Sequence, residues 1–215
     1  MTDFAEVLGS RTTRLGFKIA GVVAAVAVLV LAVWLWMRTE DARGQAALAA
    51  SADLVQQADG PLATSEARQR AIASLQQVLD QHGRTSAAPV AAYQLGNLQY
   101  QSGDYAAARG AYELALAKGA AGSVRTLAAS GVGYTWEAQK NYTNAVTAYE
   151  ALLRQESPKQ FFFEETLLDL ARAQALAGKQ TEAVATYERL LKDVPDTRRA
   201  PDVRARITEL QGKRP

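Results

Sequence analysis

Small and aromatic residues recur along this chain at a fixed interval, and this repetition limits the possible folds more than any other feature. Tyr112 and Tyr149 stand 37 residues apart, and Tyr187 follows Tyr149 after 38. Gly96 and Gly133 keep the same 37-residue offset. A period near this length, with two amphipathic helices in each unit, is typical of helical solenoids, whose units bury their apolar faces against their neighbours. The sequence therefore predicts an all-α protein built from stacked helical hairpins.

The copy around residues 95–116 shows how one hairpin would form. Apolar residues recur at helical spacing on both sides of Gly103 and Asp104. Gly103 is suited to the left-handed backbone that ends a helix, and Asp104 can accept hydrogen bonds from the free N–H groups that begin the next one. Because Gly96 is small, the two helices can approach closely, and the ring of Tyr112 can fill the space beside it. We therefore expect two short helices joined by a tight turn.

These residues resemble the tetratricopeptide repeat (TPR) family, whose units combine a small residue in the first helix with alanine and aromatic positions in the second. The matching positions are Leu95, Gly96, Ala108, Tyr112, Ala115, Val132, Gly133, Trp136, Ala145, Tyr149, Leu170, Ala171, Ala183, Tyr187 and Pro195. Lys140 departs from the pattern, because it stands where the family usually has a turn glycine. The period also exceeds the family's ~34 residues, so we expect longer turns between repeats, for example at residues 119–122.

The resemblance implies a TPR-like α-solenoid of about four hairpins within residues 38–195. We place the hairpins at about residues 44–83, 87–118, 123–156 and 160–194. The first is a degenerate repeat, because terminal repeats lack a neighbour on one side and are often atypical. Residues 196–215 would form a C-terminal capping helix and tail, with Val203, Ile207 and Leu210 on the face that packs against the last repeat.

An uncharged segment precedes the repeats. Residues 19–37 contain no charged side chain, and as a helix they would be about 28 Å long, near the ~30 Å hydrocarbon thickness of a bilayer. Trp34 and Trp36 stand at the end of this segment, and indole rings favour the membrane interface. We interpret residues 19–37 as a single transmembrane helix. A cleaved signal peptide and a buried core helix are the alternatives, although an apolar signal segment usually has only ~7–15 residues.

The charges around this segment predict its orientation. Three basic residues precede it, whereas Arg38 and Arg43 follow it among acidic residues. Positive charge favours the cytoplasmic side of a membrane. We therefore expect residues 1–18 to be a cytoplasmic tail of a single-pass protein in the bacterial inner membrane, and the repeats to lie in the periplasm.

Composition argues against several functional classes. The chain has no cysteine, which excludes thiolate metal sites and disulfides. Residues 38–215 carry 21 basic and 20 acidic side chains, so the cationic surface expected of a nucleic-acid-binding protein is missing. The single histidine, His82, has no partner suitable for a metal site, and the sequence contains neither a phosphate-binding glycine loop nor a nucleophile elbow. We expect no enzymatic activity, no cofactor and no nucleic-acid partner.

The TPR resemblance implies a concave surface, lined mainly by the first helix of each repeat, that would bind other proteins. In the family's register the residues on this surface are Tyr93, Asn97, Tyr100, Gln101, Tyr134, Glu137, Leu168 and Arg172. Tyrosine and arginine are enriched among residues that dominate binding energies. The alternative for each tyrosine is a packing role against the last helix or the preceding repeat.

Three consecutive phenylalanines, Phe161, Phe162 and Phe163, form the other unusual patch. Three successive residues of a helix cannot share one face. At least one ring should therefore be exposed or lie in a turn between repeats, and we take Phe161 and Phe163 as candidates for an exposed anchor that binds a partner. The alternative is that two rings pack against the third hairpin and the remaining one covers its edge.

The layout of tail, single anchor and TPR domain is similar to that of the YfgM-type ancillary subunits of the bacterial Sec translocon. This resemblance implies a membrane-tethered scaffold in the periplasm that meets translocon subunits, periplasmic chaperones or emerging secreted chains. A TPR coordinator of cell-envelope assembly or division is a second interpretation. A ligand-binding receptor domain is a third, disfavoured because few polar groups converge on one pocket.

Overall fold

The computed structural model describes the backbone of residues 11–212 and the side chains of residues 17–212. The first ten residues of the predicted cytoplasmic tail and the last three of the predicted C-terminal tail lie outside these ranges. The described chain divides into two units, with the boundary between residues 43 and 44. All regular secondary structure within residues 11–212 is helical, which confirms the predicted all-α fold.

Ten helices follow one another in the described residues. They are α1 Arg11–Ala50, α2 Ala52–Ala58, α3 Ser65–His82, α4 Ala87–Gln101, α5 Tyr105–Ala117, α6 Gly122–Ala138, α7 Tyr142–Leu153, α8 Phe163–Leu176, α9 Gln180–Asp193 and α10 Ala200–Gly212. From α2 onward each helix packs against the next, and α4 also packs against α6. This pattern of adjacent hairpins, in which the first helices also meet, is the packing of an α-solenoid.

The turns inside the hairpins depend on local sequence. Gly103 adopts a φ of +80°, and the Asp104 carboxylate accepts a hydrogen bond from the Ala107 N–H at 3.1 Å, as the sequence predicts for this turn. Lys140 occupies the corresponding position of the next hairpin with a φ of +59°, a conformation that favours glycine. Asn141 then accepts from the Asn144 N–H at 3.2 Å and caps α7.

The core runs from hairpin to hairpin as three clusters of buried side chains. Leu75 and Leu98 belong to the first, Tyr112 to the second, and Tyr149 and Phe163 to the third. The third cluster continues onto α10, where Val203 is buried and Ile207 and Leu210 pack partly against it. The C-terminal helix therefore covers the end of the core with the face that the sequence predicts.

The first helix carries an apolar segment with exposed side chains. An 18-residue window of α1 has a mean hydropathy of 2.7, and none of that window is buried. Its length and composition fit a membrane span, and a signal sequence near the N-terminus would meet the same criteria. The alternative of a buried core helix does not agree with this exposure.

Candidate functional site

Tyr112 lies between the first helices of two successive hairpins. A Cβ atom added at Gly96 would come within 2.6 Å of its ring, and one added at Gly131 within 2.7 Å. Both α4 and α6 therefore approach the ring so closely that only glycine fits. The Tyr112 hydroxyl donates a hydrogen bond to Asn97 Oδ1 at 2.8 Å, so both faces and the polar tip of this side chain are satisfied inside the protein.

Five polar side chains join the third hairpin to the fourth. The Tyr149 hydroxyl donates to Glu137 Oε1 at 2.7 Å, and Arg172 donates to both carboxylate oxygens of Glu137 at 2.9 and 3.1 Å. Arg172 also forms an ion pair with Asp169 Oδ1 at 2.7 Å. The Tyr134 hydroxyl donates to Asp169 Oδ2 at 2.6 Å. These contacts tie α6 and α7 to α8 with one cation between two carboxylates.

Burial sets the protonation of this network. It raises the pKa of Tyr149, and the hydrogen bond to Glu137 raises it further, so the phenol remains a donor. Burial also raises the pKa of the Asp169 carboxyl, opposed by the hydrogen bond from Tyr134 and by the charge of Arg172. Desolvation acts against the charge of Arg172, but its bonds to Glu137 and Asp169 outweigh this and raise its pKa.

The predicted surface residues of α4 occupy different environments. Tyr93 is half-buried, with its ring centre 6.1 Å from that of Tyr112. Tyr100 is also half-buried and lies edge-on to Tyr105 at 5.2 Å. Gln101 is exposed, and its amide donates to a carboxylate in the turn before α3 at 2.6 Å. The two tyrosines therefore pack against neighbouring rings, and Gln101 presents the most accessible side chain of the three.

The predicted residues of α6 and α8 combine internal contacts with exposure. Glu137 and Tyr134 are half-buried and hydrogen-bonded to other hairpins, as described above. Arg172 keeps 45% of its side chain exposed in spite of its two ion pairs. Leu168 is half-buried against the third core cluster. These residues therefore pack against other hairpins and also lie on the surface that the sequence predicts for binding. Asp169, which sequence reasoning did not include, could have been found from its i,i+3 spacing to Arg172.

The three phenylalanines differ in exposure, because Phe161 and Phe162 precede α8 and Phe163 begins it. Phe161 is 90% exposed in the turn before α8, as the sequence predicts for at least one ring, and Phe162 stacks edge-on against it at 5.0 Å. The prediction that Phe163 is an exposed anchor is wrong. Phe163 is 1% exposed, because its helical spacing to Leu167 and Leu170 places it on the buried face of α8.

A pocket of about 560 Å³ opens between α8, α9 and α10. Leu168 and Arg172 line it together with the half-exposed Leu176. Tyr187 also lines the pocket, and among the described residues its hydroxyl has no hydrogen-bond partner although the residue is 7% exposed. Sequence reasoning missed this pocket. The repeat spacing contained a signal for it. Glu137 accepts the hydrogen bond of the Tyr149 hydroxyl, and the corresponding residue 38 positions later is Ala175, which cannot accept one from Tyr187.

Other chemistry is not apparent in the described part of the chain. No group of three histidine, cysteine, aspartate or glutamate side chains within it is arranged to hold a metal ion. The polar groups that do converge are tyrosine, arginine and carboxylate pairs, whose chemistry is hydrogen bonding and ion pairing.

Two family models, both described as tetratricopeptide repeat, match the chain. One matches residues 62–124 and 93–161 and the other residues 165–197, which together are more than half of the chain. Two crystal structures of nearly identical TPR-like repeats from a putative kinesin light chain of Podosopora anserina are similar in fold. The first has 15% identity, covers 81% of this chain and 89% of its own, and gives a TM-score of 0.60. The second has 14% identity, covers 80% and 97%, and gives 0.53. No curated protein matches this sequence.

Proposed function

Because the chain belongs to the tetratricopeptide repeat family, we propose that it is a membrane-tethered scaffold that binds other proteins in the periplasm. Repeats of this family make protein-protein interaction scaffolds. The observation that carries the tethered form is the exposed apolar window of α1, which precedes the repeats on the same chain. A repeat domain held at a bilayer meets proteins that cross or line that bilayer at a high effective concentration.

The narrower proposal is a role beside the Sec translocon, with translocon subunits, periplasmic chaperones or emerging secreted chains as partners. It is supported by the layout of anchor and repeats and by the surface of α4, α6 and α8, which carries Gln101 and Arg172 as its accessible polar groups. A role in coordinating cell-envelope assembly or division uses the same surface and is the second candidate.

The orientation can be tested with single cysteines, since the chain has none of its own. Leu62→Cys places a thiol at a side chain that is 96% exposed, and Ser10→Cys places one before the apolar window. In intact cells with a permeabilised outer membrane, a membrane-impermeant maleimide should label Leu62→Cys at once and Ser10→Cys only after lysis. Labelling of Ser10→Cys in intact cells would mean that the orientation is opposite to the proposed one. Loss of that thiol from the mature chain would identify a cleaved signal peptide.

The partner can be tested by photo-crosslinking in living cells. A photoreactive residue at Gln101 reports on the first-helix surface, and one at the exposed Ala117 of α5 is the matched control. Mass spectrometry should find translocon subunits, chaperones or secreted chains crosslinked from Gln101 and not from Ala117. Equal crosslinks from both positions would contradict binding by this surface, and recovery of division or outer-membrane assembly proteins would favour the second candidate.

A further inference from the structure

The pocket between α8, α9 and α10 is elongated, and its two ends differ in chemistry. Along α8 it is lined from Glu165 to Leu176, which stand about three helical turns, or ~16 Å, apart. The ion pair between Arg199 and Glu165 at 2.7 Å holds the start of α10 beside the start of α8. Asp202 follows Arg199 within one turn and therefore lies at the Glu165 end, whereas Leu210 lies ~12 Å further along α10. One end of the pocket is thus polar, and the other has leucine walls.

The charges around the pocket leave a carboxylate without a partner. Each arginine that lines it is already paired. The pairs are Arg199 with Glu165 at 2.7 Å, Arg206 with Glu209 at 2.9 Å, and Arg172 with Glu137 at 2.9 Å and with Asp169 at 2.7 Å. Asp202 also lines the pocket, but its carboxylate has no ion pair and no hydrogen bond within the described residues. Because Arg172 is shared by two carboxylates and Asp202 has no cation, the charge left over at this site is negative.

Tyr187 supplies a second polar group that has no partner. Its hydroxyl makes no hydrogen bond with any described residue, although the side chain belongs to the core and is only 7% exposed. Burial raises the pKa of this hydroxyl, the charges of Arg206 and Arg172 oppose the rise, and that of Glu209 adds to it. All three of these charged residues line the pocket, so the hydroxyl lies on the pocket side of the ring. Its oxygen is therefore available to accept a hydrogen bond from an occupant.

These features favour an occupant with an apolar stem and a cationic head. An incoming cation would gain an ion pair with Asp202, whereas an incoming carboxylate would meet arginines that are already neutralised. Lysine and arginine bury their methylene stems on apolar surface and keep the charged group in a polar place. Leu168 supplies apolar surface between the two ends of the pocket. The volume of about 560 Å³ is within the range of pockets that enclose a ligand of several side chains.

We propose that this pocket binds a basic residue of an extended segment of a partner protein, with the lysine or arginine paired to Asp202 and an N–H of the segment donating to the Tyr187 hydroxyl. An apolar side chain of the same segment packs between Leu176 and Leu210. An extended chain rises ~3.3 Å per residue, so the ~12 Å between the two ends of α10 in the pocket places the basic and apolar residues about three or four positions apart. The inference depends on the proposed scaffold function and names the chemistry that one of its sites recognises.

The test uses the full chain in detergent micelles and a displayed library of random peptides. Peptides retained by the chain should be enriched in lysine or arginine, with a leucine, isoleucine or phenylalanine three or four positions away. A fluorescein-labelled copy of the most enriched peptide is then compared, by fluorescence anisotropy, with a copy in which glutamine replaces the basic residue. The glutamine copy should bind about tenfold more weakly, as expected for loss of one charge-assisted hydrogen bond.

Three variants assign the binding to this pocket. Asp202→Asn removes the unpaired charge and should weaken the basic peptide about tenfold, while the glutamine copy binds both chains equally. Glu188→Gln is the matched control, because this exposed acid of α9 follows Tyr187 directly and does not line the pocket, so the affinity should not change. Tyr187→Phe should weaken the peptide about threefold at an unchanged melting temperature, because the hydroxyl makes no bond within the described chain.

The outcomes separate this inference from the proposed function. Retained peptides without a basic preference, or a basic peptide that Asp202→Asn and Glu188→Gln weaken equally, would overturn the pocket's assignment while leaving a scaffold that binds elsewhere. A dimer in detergent that Asp202→Asn dissociates would assign the pocket to a second copy and overturn the inference as well. Retention of no peptide would also overturn it, and only together with no crosslinks from Gln101 would that result count against the scaffold function itself.

Discussion

The tyrosine that recurs in successive repeats is enclosed between two helices in the middle of the array and lines a pocket at its end. Tyr112 is held between two glycines of successive hairpins and donates to Asn97, whereas Tyr187 lines a pocket and its hydroxyl donates to no other residue of the described part of the chain. The position taken by Gly133 in the third hairpin is Ala171 in the fourth. A repeat that has a following hairpin stacks against it, whereas in the last repeat Tyr187, still only 7% exposed, lines the pocket between α8, α9 and α10. At the end of this solenoid the recurring tyrosine therefore borders a pocket instead of the first helix of a following hairpin.

The largest expected effect breaks the enclosed arrangement. In Gly133→Ala the new Cβ would lie 2.3 Å from the ring of Tyr149, which is fully buried and cannot move aside. We expect the free energy of unfolding to fall by about 3 kcal/mol, as for other overpacked cores. Circular dichroism during denaturation of the purified chain measures the loss. Gly110→Ala is the matched control in α5, where an added Cβ meets no atom within 4 Å, so it should be neutral or stabilise by up to ~1 kcal/mol. Equal losses in both variants would contradict the close approach at Gly133.

Smaller effects are expected when Tyr149 and Tyr187 are each replaced by phenylalanine, which compares the two tyrosines directly. Tyr149→Phe removes a hydrogen bond to the carboxylate of Glu137, which keeps its contacts with Arg172, so we expect a loss of about 1.5 kcal/mol. Tyr187→Phe removes a hydroxyl that has no partner within the described residues, and the change should stay within about 0.5 kcal/mol. Both values come from the same denaturation experiment at pH 7. A loss for Tyr187→Phe as large as that for Tyr149→Phe would show that the last hydroxyl is satisfied inside the protein.

The contribution of Tyr149 to stability should depend on pH in the alkaline range. The folded-state pKa of Tyr149 is raised, so the stability it contributes is present below pH 10 and is lost as the pH rises, because the unfolded phenol ionises near 10 while the folded one does not. Between pH 10 and 11 this single group should lower the free energy of unfolding by about 1 kcal/mol, because the unfolded phenol is already half ionised at pH 10. The deficit of Tyr149→Phe relative to the wild type should therefore shrink by that amount over the same interval. A deficit that stays constant from pH 8 to pH 11 would mean that Tyr149 ionises normally in the folded chain.

The sequence was sufficient to predict the hairpins, because each depends on local residues that act at short range. Gly103 and Asp104 end one helix and begin the next, and the tyrosine period specifies which faces stack. The site was only partly predictable. Leu168 and Arg172 were expected on a binding surface, but the pocket also needs α10, whose distance from α8 no local pattern encodes. Phe163 was misplaced because the start of α8 decides its burial, and a run of identical residues does not reveal where a helix begins.

The smallest expected effect concerns the turn that departs from the family pattern. Lys140 holds a φ of +59°, whereas the corresponding residue of the next hairpin is Gly178 at +77°. Left-handed backbone costs a residue with a Cβ about 1 kcal/mol, and glycine avoids most of that cost. Lys140→Gly should therefore raise the free energy of unfolding by about 0.5–1 kcal/mol in the same denaturation experiment. Gly178→Ala is the reciprocal control, since its added Cβ meets no atom within 4 Å and isolates the backbone term, so it should lower stability by a similar amount. If Lys140→Gly destabilises the chain, the lysine side chain contributes more than its backbone conformation costs, and the two turns are then not equivalent.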